Sequence, residues 1–259
     1  MIDSFFFDFD GTLQGFEQHK VSDSTKEALR ILKQKDKKIF LATGRNKVDL
    51  PQDIFDYGFD GFINNNGGMC SDEKGKTFFV DYIDSADVEA ILAYDEKEPF
   101  AFSYMTETSF SINRVNENVE KAFAYFGMKV PKVVEPRELR TDNIMQMNFF
   151  VNEEQETILM NTVLKKSTSS RWIEYFADVN PENVNKMFGI KRMCDYYSLD
   201  LAKTMAFGDG GNDSEMLKGC TIGVAMGNAN REVKEVADYV TTSADDDGIW
   251  NALKHYQII

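Results

Sequence analysis

The sequence contains few of the residues that several classes of functional site require. Its 259 residues include two histidines and three cysteines, and no two of the cysteines form a Cys-x-x-Cys pair. A zinc site that needs several histidines is therefore not expected. The odd number of cysteines disfavours a disulfide framework and indicates a reducing, cytoplasmic location. Any metal ion in this protein should be a hard one that is bound through oxygen atoms.

Positive charge and long apolar runs are also scarce. The chain has 29 Lys and Arg residues against 43 Asp and Glu residues, so its formal net charge is −14. Nucleic acid is not expected as a partner, because its recognition depends on clustered cationic contacts to phosphate. No stretch approaches the roughly 18 apolar residues of a membrane helix, and we expect neither a membrane partner nor a secretory signal. The 42% of hydrophobic residues is enough to form the core of a globular protein.

The two ends of the chain share one pattern. Short β-branched or aromatic runs alternate there with longer helical periodicities, which is typical of a parallel sheet with helices on its faces. Ser24 and Glu27 form a capping-box pattern that predicts the start of the first helix. The predicted strands are residues 2–7, 38–42, 61–63, 204–207, 221–225 and 238–242. The other predicted helices are residues 182–197, one that begins at 212, one that begins at 230, and one that ends at 256.

The middle of the chain follows a different pattern. Residues 100–105 and 110–115 flank a short polar stretch, as the two strands of a hairpin do. Further strands are predicted at 143–151 and 171–179, and helices at 116–126 and 152–166. We therefore predict an α/β core domain, made of residues 1–81 and 182–259, that is interrupted by an inserted α+β domain of residues 82–181.

Acidic loops follow a predicted strand in each half of the core. One is Asp8-Phe9-Asp10-Gly11-Thr12, and the other is the glycine-rich loop Gly208-Asp209-Gly210-Gly211-Asn212-Asp213. In an open parallel sheet, ligands bind beyond the carboxyl ends of the strands, where both loops are expected to lie. Four clustered carboxylates repel one another unless protons or a cation compensate them. The two loops therefore predict a Mg²⁺ site.

In order along the chain, four motifs resemble those of the haloacid dehalogenase (HAD) superfamily of phosphatases. They are Asp8-x-Asp10-Gly11-Thr12, Thr43-Gly44-Arg45 after a strand, Lys186 at a predicted helix start, and the glycine-rich acidic loop. The insertion between the second and third motifs resembles the large type IIB cap of the Cof-like sugar-phosphatase branch. The resemblance covers the whole chain. It implies a Rossmann-like parallel-sheet core with an α+β cap, and an Mg²⁺-dependent hydrolase of small phosphate esters that is monomeric or weakly self-associating.

The resemblance implies a role for each acidic residue. Asp8 would be the nucleophile that forms an aspartyl-phosphate, and Asp10 would be the general acid and then the general base. Asp8, the backbone carbonyl of Asp10, and Asp209 would hold Mg²⁺. Asp213 would order these ligands from behind, and direct or water-mediated ligation by Asp213 is the alternative.

Phosphate contacts are implied for Thr43, Gly44, Lys186 and Asn212, which would donate hydrogen bonds to the phosphoryl oxygens. One feature departs from the family pattern. The family commonly has Gly after this lysine, whereas Met187 and Phe188 follow it here. These larger side chains put the position of Lys186 in question.

Substrate preference is expected to depend on the inserted domain, because a lid excludes water and contacts the part of the substrate that does not react. The candidate contacts are two core residues and four residues of the last predicted strands of the cap: Arg45, Asn66, Trp172, Glu174, Tyr175 and Asp178.

Other functions remain open at this point. A phosphotransferase or phosphomutase would use the same aspartyl-phosphate and pass the phosphoryl group to a hydroxyl. A phospho-aspartate signalling or binding protein belongs to a different class, and Asp10 disfavours it because a switch must keep its phosphoryl group. Residues 70–77 are one letter short of a Walker A loop, but they lack its first glycine and are followed by a predicted strand. We therefore predict a hairpin turn there.

Overall fold

The computed structural model describes residues 2–259, apart from the side chain of Trp172. The chain forms two compact units. The first unit consists of Met1–Gly44, Leu50–Phe79 and Asn185–Ile259, and the second consists of Arg45–Asp49 and Val80–Val184. No helix in the described part of the chain is long and apolar enough to cross a membrane.

Fourteen strands and eight α-helices are present in the described residues. The strands are β1 (Ser4–Phe7), β2 (Lys38–Ala42), β3 (Gly61–Asn64), β4 (Met69–Asp72), β5 (Thr77–Val80), β6 (Phe102–Met105), β7 (Phe110–Ile112), β8 (Lys132–Val133), β9 (Gln146–Phe149), β10 (Ser167–Ile173), β11 (Phe176–Pro181), β12 (Thr204–Gly208), β13 (Ile222–Ala225) and β14 (Tyr239–Val240). The helices are α1 (Asp23–Gln34), α2 (Ser85–Asp95), α3 (Glu117–Tyr125), α4 (Glu153–Ile158), α5 (Lys186–Tyr197), α6 (Ser214–Gly219), α7 (Arg231–Val236) and α8 (Gly248–His255).

The first unit is built on a sheet in the order β14-β13-β12-β1-β2-β3-β4-β5. The strands from β14 to β3 run parallel, and β4 runs antiparallel to β3. The stretch that is one letter short of a Walker A loop forms the turn between β4 and β5, as predicted. This mainly parallel sheet confirms the α/β class that was inferred from the sequence.

The central strand β1 is buried on both faces of this sheet. Phe5 and Phe7 point to the core that α1 and α8 cover, and Phe6 points to the core that α5 and α6 cover. The ring of Phe7 stacks on Phe207 at 4.9 Å between centroids, and the ring of Phe6 stacks on Phe40 at 5.0 Å. A strand buried on both faces has a continuous apolar run, which is why three consecutive phenylalanines form it.

Two predicted helix starts are wrong by a few residues. The N-cap of α1 is Ser22, whose hydroxyl accepts a hydrogen bond from the Thr25 amide, rather than Ser24. Helix α5 begins at Lys186, as the third motif predicted and a few residues after the approximate start near residue 182, because the Asn185 side chain accepts a hydrogen bond from the Phe188 amide and caps the helix there. Short polar side chains close to a helix start compete for the cap position, and the sequence does not show which one wins.

The second unit is built on a sheet in the order β10-β11-β9-β6-β7-β8. Its pairs are antiparallel except for β7 and β8, which are parallel. The predicted hairpin is formed by β6 and β7. Helix α4 continues into a π-helical turn at Leu159–Val163.

One strand prediction in the second unit is wrong. Residues 171–179 do not form a single strand, because β10 ends at Ile173 and β11 begins at Phe176, with a turn at Glu174 and Tyr175. No glycine, proline or asparagine marks this turn, and the neighbouring Ile173, Tyr175 and Phe176 favour strands, so no local pattern indicated it.

The limits of the two units differ slightly from the predicted domains. The second unit begins at Val80 and ends at Val184, and it includes the short segment Arg45–Asp49 that follows β2. One contact between this segment and the rest of the unit is the hydrogen bond from Asn46 Nδ2 to the Thr106 carbonyl at 2.8 Å. Arg45, which the sequence analysis placed in the core, therefore groups with the inserted unit.

The correction at the start of α1 can be tested by substitution. Ser22→Ala should lower the free energy of unfolding by about 1 kcal/mol, because it removes the side-chain acceptor for a terminal amide of the helix. Ser85→Ala, one residue after the N-cap Asp84 of α2, is the matched control and should lower it by less than about half of that amount. Denaturant unfolding followed by circular dichroism measures both values. An equal or larger loss for Ser85→Ala would contradict the capping role of Ser22.

Candidate active site

Three neighbouring strands are each followed by a candidate site residue, and these residues lie at one edge of the parallel sheet. Asp8 directly follows β1, Asp209 directly follows β12, and Thr43 directly follows β2. Strand β1 lies between the other two and is parallel to both. The carboxyl ends of the three strands therefore meet, and residues 8 and 209 become neighbours although they are far apart in sequence.

A buried lysine joins the two acidic loops. Lys186 Nζ donates to Asp8 Oδ1 at 2.5 Å and to Asp213 Oδ1 at 2.6 Å. Lys186 and Asp213 are fully buried, and Asp8 is only 6% exposed. Breaking such a pair on one side leaves a buried charge uncompensated, so these three residues stabilise the site as a unit.

Asp213 also fixes the backbone of the glycine-rich loop. Its second oxygen, Oδ2, accepts hydrogen bonds from the amides of Asp209 and Gly210, both at 2.9 Å. One carboxylate thus orients the loop with one oxygen and holds Lys186 with the other. This arrangement positions Asp209 at the sheet edge.

Asp209 is held by two residues to which the sequence analysis assigned no role. Thr12 Oγ1 donates to Asp209 Oδ1 at 3.1 Å, and Asn228 Nδ2 donates to Asp209 Oδ2 at 3.2 Å. Asn228 Nδ2 also lies 2.8 Å from the Gly11 carbonyl, which ties the first acidic loop to the turn after β13. Thr12 lies within the first acidic motif, whereas Asn228 lies outside the motifs named above, and nothing in the sequence showed that the two would converge on Asp209.

Gly11 is required by this close approach. Its φ of +76° lies in the left-handed region, and a Cβ atom there would come within 2.6 Å of the Asp209 carboxylate carbon. Only glycine accommodates both conditions.

Three carboxylates form a group that can hold a cation. One oxygen each from Asp8, Asp209 and Asp213 lies within 4.8 Å of the other two. These hard oxygen ligands fit Mg²⁺. Asp10 is not part of this group, and it is partly exposed.

The charges of the cluster are only partly balanced. Burial raises the pKa of Asp8 to about 8, the neighbouring Asp213 raises it as well, and Lys186 opposes both effects. Burial and the charges of Asp8 and Asp213 also raise the pKa of Asp209 well above its usual range. Burial lowers the pKa of Lys186, but Asp213 and Asp8 outweigh it and keep the ammonium group charged. One ammonium group therefore does not fully compensate three buried carboxylates.

Thr43, Gly44, Asn66 and Asn212 lie close together beside β2 and β3. The Asn66 amide donates to the Thr43 carbonyl at 3.1 Å, and Asn212 Nδ2 donates to Asn66 Oδ1 at 2.9 Å. A Cβ atom at Gly44 would lie 3.2 Å from Asn66 Oδ1. Asn66 adopts a left-handed conformation with a φ of +52°, which asparagine tolerates better than most residues.

The residues after Lys186 do not displace it. The close backbone approach occurs at Gly189, where a Cβ atom would lie 2.9 Å from the Gly67 Cα. Met187 is buried in the core, and the ring of Phe188 packs against Phe79. The departure from the family pattern is therefore accommodated within the first unit.

The remaining candidate substrate residues belong to the second unit. Arg45 donates to the Asp49 carbonyl at 3.2 Å. Glu174 and Tyr175 form the turn between β10 and β11, where Lys121 Nζ lies 5.9 Å from the Tyr175 ring centre. Asp178 is buried on β11. The side chain of Trp172, also a candidate, lies outside the described residues.

An acidic cluster at the carboxyl edge of a parallel sheet is a typical ligand site of open α/β proteins. The chain belongs to the haloacid dehalogenase-like hydrolase family, whose model matches residues 5–253. It is 30% identical over 258 residues to the putative phosphatase YkrA of Bacillus subtilis (strain 168), which covers 98% of this chain and 97% of that protein.

Two solved structures are similar over almost the whole chain. The HAD subclass IIB sugar phosphatase BT4131 has a TM-score of 0.92 and 37% identity, covering 99% of this chain and 100% of that one. The phosphatase BT1666 from Bacteroides thetaiotaomicron has a TM-score of 0.91 and 36% identity, covering 100% of this chain and 96% of that one. These findings confirm the family resemblance that the four motifs indicated.

The raised pKa of Asp8 predicts a pH-dependent stability. Between its ordinary value near 3.8 and about 8, the folded protein holds a proton on Asp8 that the unfolded chain has lost, so stability falls as pH rises. Asp8→Asn removes this dependence. In a buffer with a metal chelator, the difference in stability between the two proteins should shift in favour of the variant as pH rises, by at most about 1.4 kcal/mol per pH unit between pH 4 and 8.

Thermal unfolding at several pH values measures this difference. Asp36→Asn, which changes an exposed carboxylate, is the control and should show no such trend. A difference between Asp8→Asn and the unsubstituted protein that stays constant with pH would contradict the assigned direction of the pKa shift.

Proposed function

We propose that this protein is a phosphatase that hydrolyses small phosphate monoesters, with sugar phosphates as the expected substrates, through an aspartyl-phosphate on Asp8. The observation that carries the proposal is the buried cluster in which Lys186 bridges Asp8 and Asp213. Membership of a hydrolase family supports it, as do relatives that are named phosphatases. The sugar phosphatase BT4131 is among the similar structures and favours this substrate class.

The proposed first step transfers the phosphoryl group to the enzyme. A carboxylate oxygen of Asp8 attacks phosphorus in line, the new Asp8 oxygen–phosphorus bond forms, and the bond from phosphorus to the ester oxygen breaks. The protonated Asp10 gives its proton to the leaving oxygen, so that an alcohol departs.

The proposed second step returns the enzyme to its starting state. Asp10, now ionised, accepts a proton from a water molecule as that water attacks the phosphorus atom. The bond between phosphorus and Asp8 breaks, inorganic phosphate leaves, and Asp10 is protonated again. One carboxyl group can serve in both steps because the first step leaves it deprotonated.

The phosphoryl oxygens need donors while charge moves between the two sides of the phosphorus atom. We assign this role to the Lys186 ammonium group, the Thr43 hydroxyl, the Asn212 amide and the backbone at Gly44. Lys186 is fully buried, which strengthens its interaction with an anionic group.

The acidic cluster would bind Mg²⁺ through Asp8, Asp209 and the backbone carbonyl of Asp10, with Asp213 ordering these ligands. When bound, the ion offsets the repulsion between the Asp8 carboxylate and the anionic phosphate. The incomplete compensation of the three carboxylates by Lys186 supports this assignment. A cytoplasmic location and a monomeric or weakly associating state stay predictions from the sequence.

Two alternatives from the sequence analysis use the same intermediate. Family membership among hydrolases favours turnover over a signalling switch. Transfer to a hydroxyl instead of water is distinguished by product analysis, since hydrolysis releases phosphate and alcohol in equal amounts, whereas transfer releases alcohol in excess of phosphate.

The catalytic assignment predicts the effect of two substitutions. Asp8→Asn should abolish hydrolysis of p-nitrophenyl phosphate, because an amide does not form the acyl phosphate. Asp10→Asn should lower kcat by about 10²-fold or more, since it removes the proton donor and acceptor. Colorimetric release of p-nitrophenol in the presence of Mg²⁺ measures both. Substantial activity of Asp8→Asn would rule out the covalent mechanism, and Asp36→Asn serves as the exposed control.

Metal binding can be tested without measuring activity. With Mg²⁺ at about one hundred times its Kd, the Tm of the metal-free protein should rise by roughly 5 °C or more at pH 7.5, since binding at that excess stabilises by about 2.7 kcal/mol. Asp209→Asn should lose most of this shift, and Asp36→Asn should keep it. An equal shift in Asp209→Asn would place the metal elsewhere.

A further inference from the structure

Neutral hydrogen-bond donors hold both carboxylate oxygens of Asp209. The Thr12 hydroxyl donates to Oδ1 at 3.1 Å, and the Asn228 side-chain amide donates to Oδ2 at 3.2 Å. A carboxylate that accepts at one oxygen can still turn about that contact, whereas one that accepts at both oxygens loses a hydrogen bond whenever it turns. The orientation of Asp209 is therefore fixed by the protein itself.

The contact from Thr12 lies in a buried part of the site. Thr12 is 1% exposed and Asp209 is 7% exposed, so water does not readily replace the hydroxyl as a donor. The preceding residue, Gly11, passes so close to Asp209 that a Cβ atom at this position would clash with Oδ2. The first acidic loop thus restrains Asp209 by packing as well as by hydrogen bonding.

The side-chain amide of Asn228 has one possible orientation. The backbone amide of Ala244 donates to Asn228 Oδ1 at 3.0 Å, so the NH₂ group must point away from Ala244. It lies there 2.8 Å from the Gly11 carbonyl oxygen and 3.2 Å from Asp209 Oδ2. Asn228 is exposed, and water can replace its hydrogen bonds, so they contribute little to the stability of the fold. Their main effect is to hold Asp209 against the first acidic loop.

A carboxylate with a fixed orientation discriminates between cations of different size. Ca²⁺ binds about six to eight oxygens at about 2.3–2.6 Å, and carboxylates ligate it through one oxygen or through both. Mg²⁺ requires near-octahedral geometry at about 2.0–2.1 Å and takes few protein ligands. A carboxylate that turns freely can adapt to the larger ion, whereas one that is held at both oxygens cannot.

We propose that Thr12 and Asn228 are positioning residues that make the acidic cluster selective for Mg²⁺ over Ca²⁺, because they prevent Asp209 from turning. This inference rests on the proposed function, since it takes Asp209 as a ligand of the metal ion. Neither residue needs to touch the ion, because each acts through the orientation of Asp209. All of these residues belong to the first unit.

The test measures the binding of two cations and needs no turnover. Calorimetry with magnesium chloride and with calcium chloride on the metal-free protein gives two dissociation constants. The measured quantity, called here the cation ratio, is the Kd for Ca²⁺ divided by the Kd for Mg²⁺. Thr12→Val removes the hydroxyl with little change in volume, and Thr12→Ser keeps the hydroxyl and removes the methyl group.

A second pair of variants tests the other oxygen of Asp209. Asn228→Leu removes the donor to Oδ2. Asn230→Leu is the matched control, since it makes the same change at an exposed asparagine whose side chain makes no capping hydrogen bond with α7. Asn228 is exposed as well, so the two metal-free variants should unfold at similar temperatures. A difference in cation binding between them then reports on Asp209 rather than on folding.

Thr12→Val and Asn228→Leu should each weaken Mg²⁺ binding by about tenfold or more, which is the usual cost of removing a residue that orients a metal ligand. Ca²⁺ binding should weaken less, so the cation ratio should fall by about fivefold or more. Thr12→Ser and Asn230→Leu should keep the cation ratio of the unsubstituted protein.

An unchanged cation ratio in Thr12→Val or in Asn228→Leu would overturn the inference, whether both cations lose affinity equally or neither does. An equal fall in Thr12→Ser and Thr12→Val would also overturn it, because the effect would then come from the packing of the methyl group. If Thr12→Val does not fold, the comparison of Asn228→Leu with Asn230→Leu decides alone.

The Asp209→Asn protein separates this inference from the proposed function. If Asp209→Asn loses Mg²⁺ binding while Thr12→Val and Asn228→Leu keep the cation ratio, the proposed metal site stands and the role of Thr12 and Asn228 is refuted. If Asp209→Asn binds Mg²⁺ as tightly as the unsubstituted protein, or if the unsubstituted protein binds neither cation, the proposed metal site fails and this inference fails with it.

Discussion

The bridge from one buried ammonium group to carboxylates of two separate chain segments is the interaction on which the first unit depends. Lys186 lies at the first turn of α5, Asp8 follows β1, and Asp213 lies in the loop after β12. Bringing these charges out of water is unfavourable unless they are paired and hydrogen-bonded. Lys186 is hydrogen-bonded to both Asp8 and Asp213, but its single positive charge does not balance three carboxylates. The site is therefore suited to binding a further cation.

The sheet order explains how such a cluster forms from distant segments. The first and second halves of the core meet at the pairing of β1 with β12. Every parallel strand ends at the same edge, so the loops after β12, β1 and β2 are neighbours whatever their separation in sequence. The inserted residues leave the core sheet after β5 and return at α5, which begins with Lys186. The segment in which the chain returns to the first unit therefore supplies Lys186.

The two units differ in the chemistry of their buried side chains. The first concentrates carboxylates and a lysine, which suit a metal ion and an anionic group. The second buries amide side chains beside Asp178, whose carboxylate accepts hydrogen bonds from Gln146 and Asn148.

Local patterns determined much of this protein from the sequence alone. The phenylalanine run of β1, the acidic loops that follow β1 and β12, and the order of the four motifs depend on neighbouring residues, so the α/β class and the family could be recognised. Only the tertiary structure decided which serine caps α1, that residues 174 and 175 form a turn, and that Thr12 and Asn228 converge on Asp209. Only the tertiary structure showed that, within the described residues, Gln146 Oε1 and Asn180 Oδ1 are buried without a hydrogen-bond partner. These features depend on contacts between segments far apart in the chain, which a local sequence pattern does not encode.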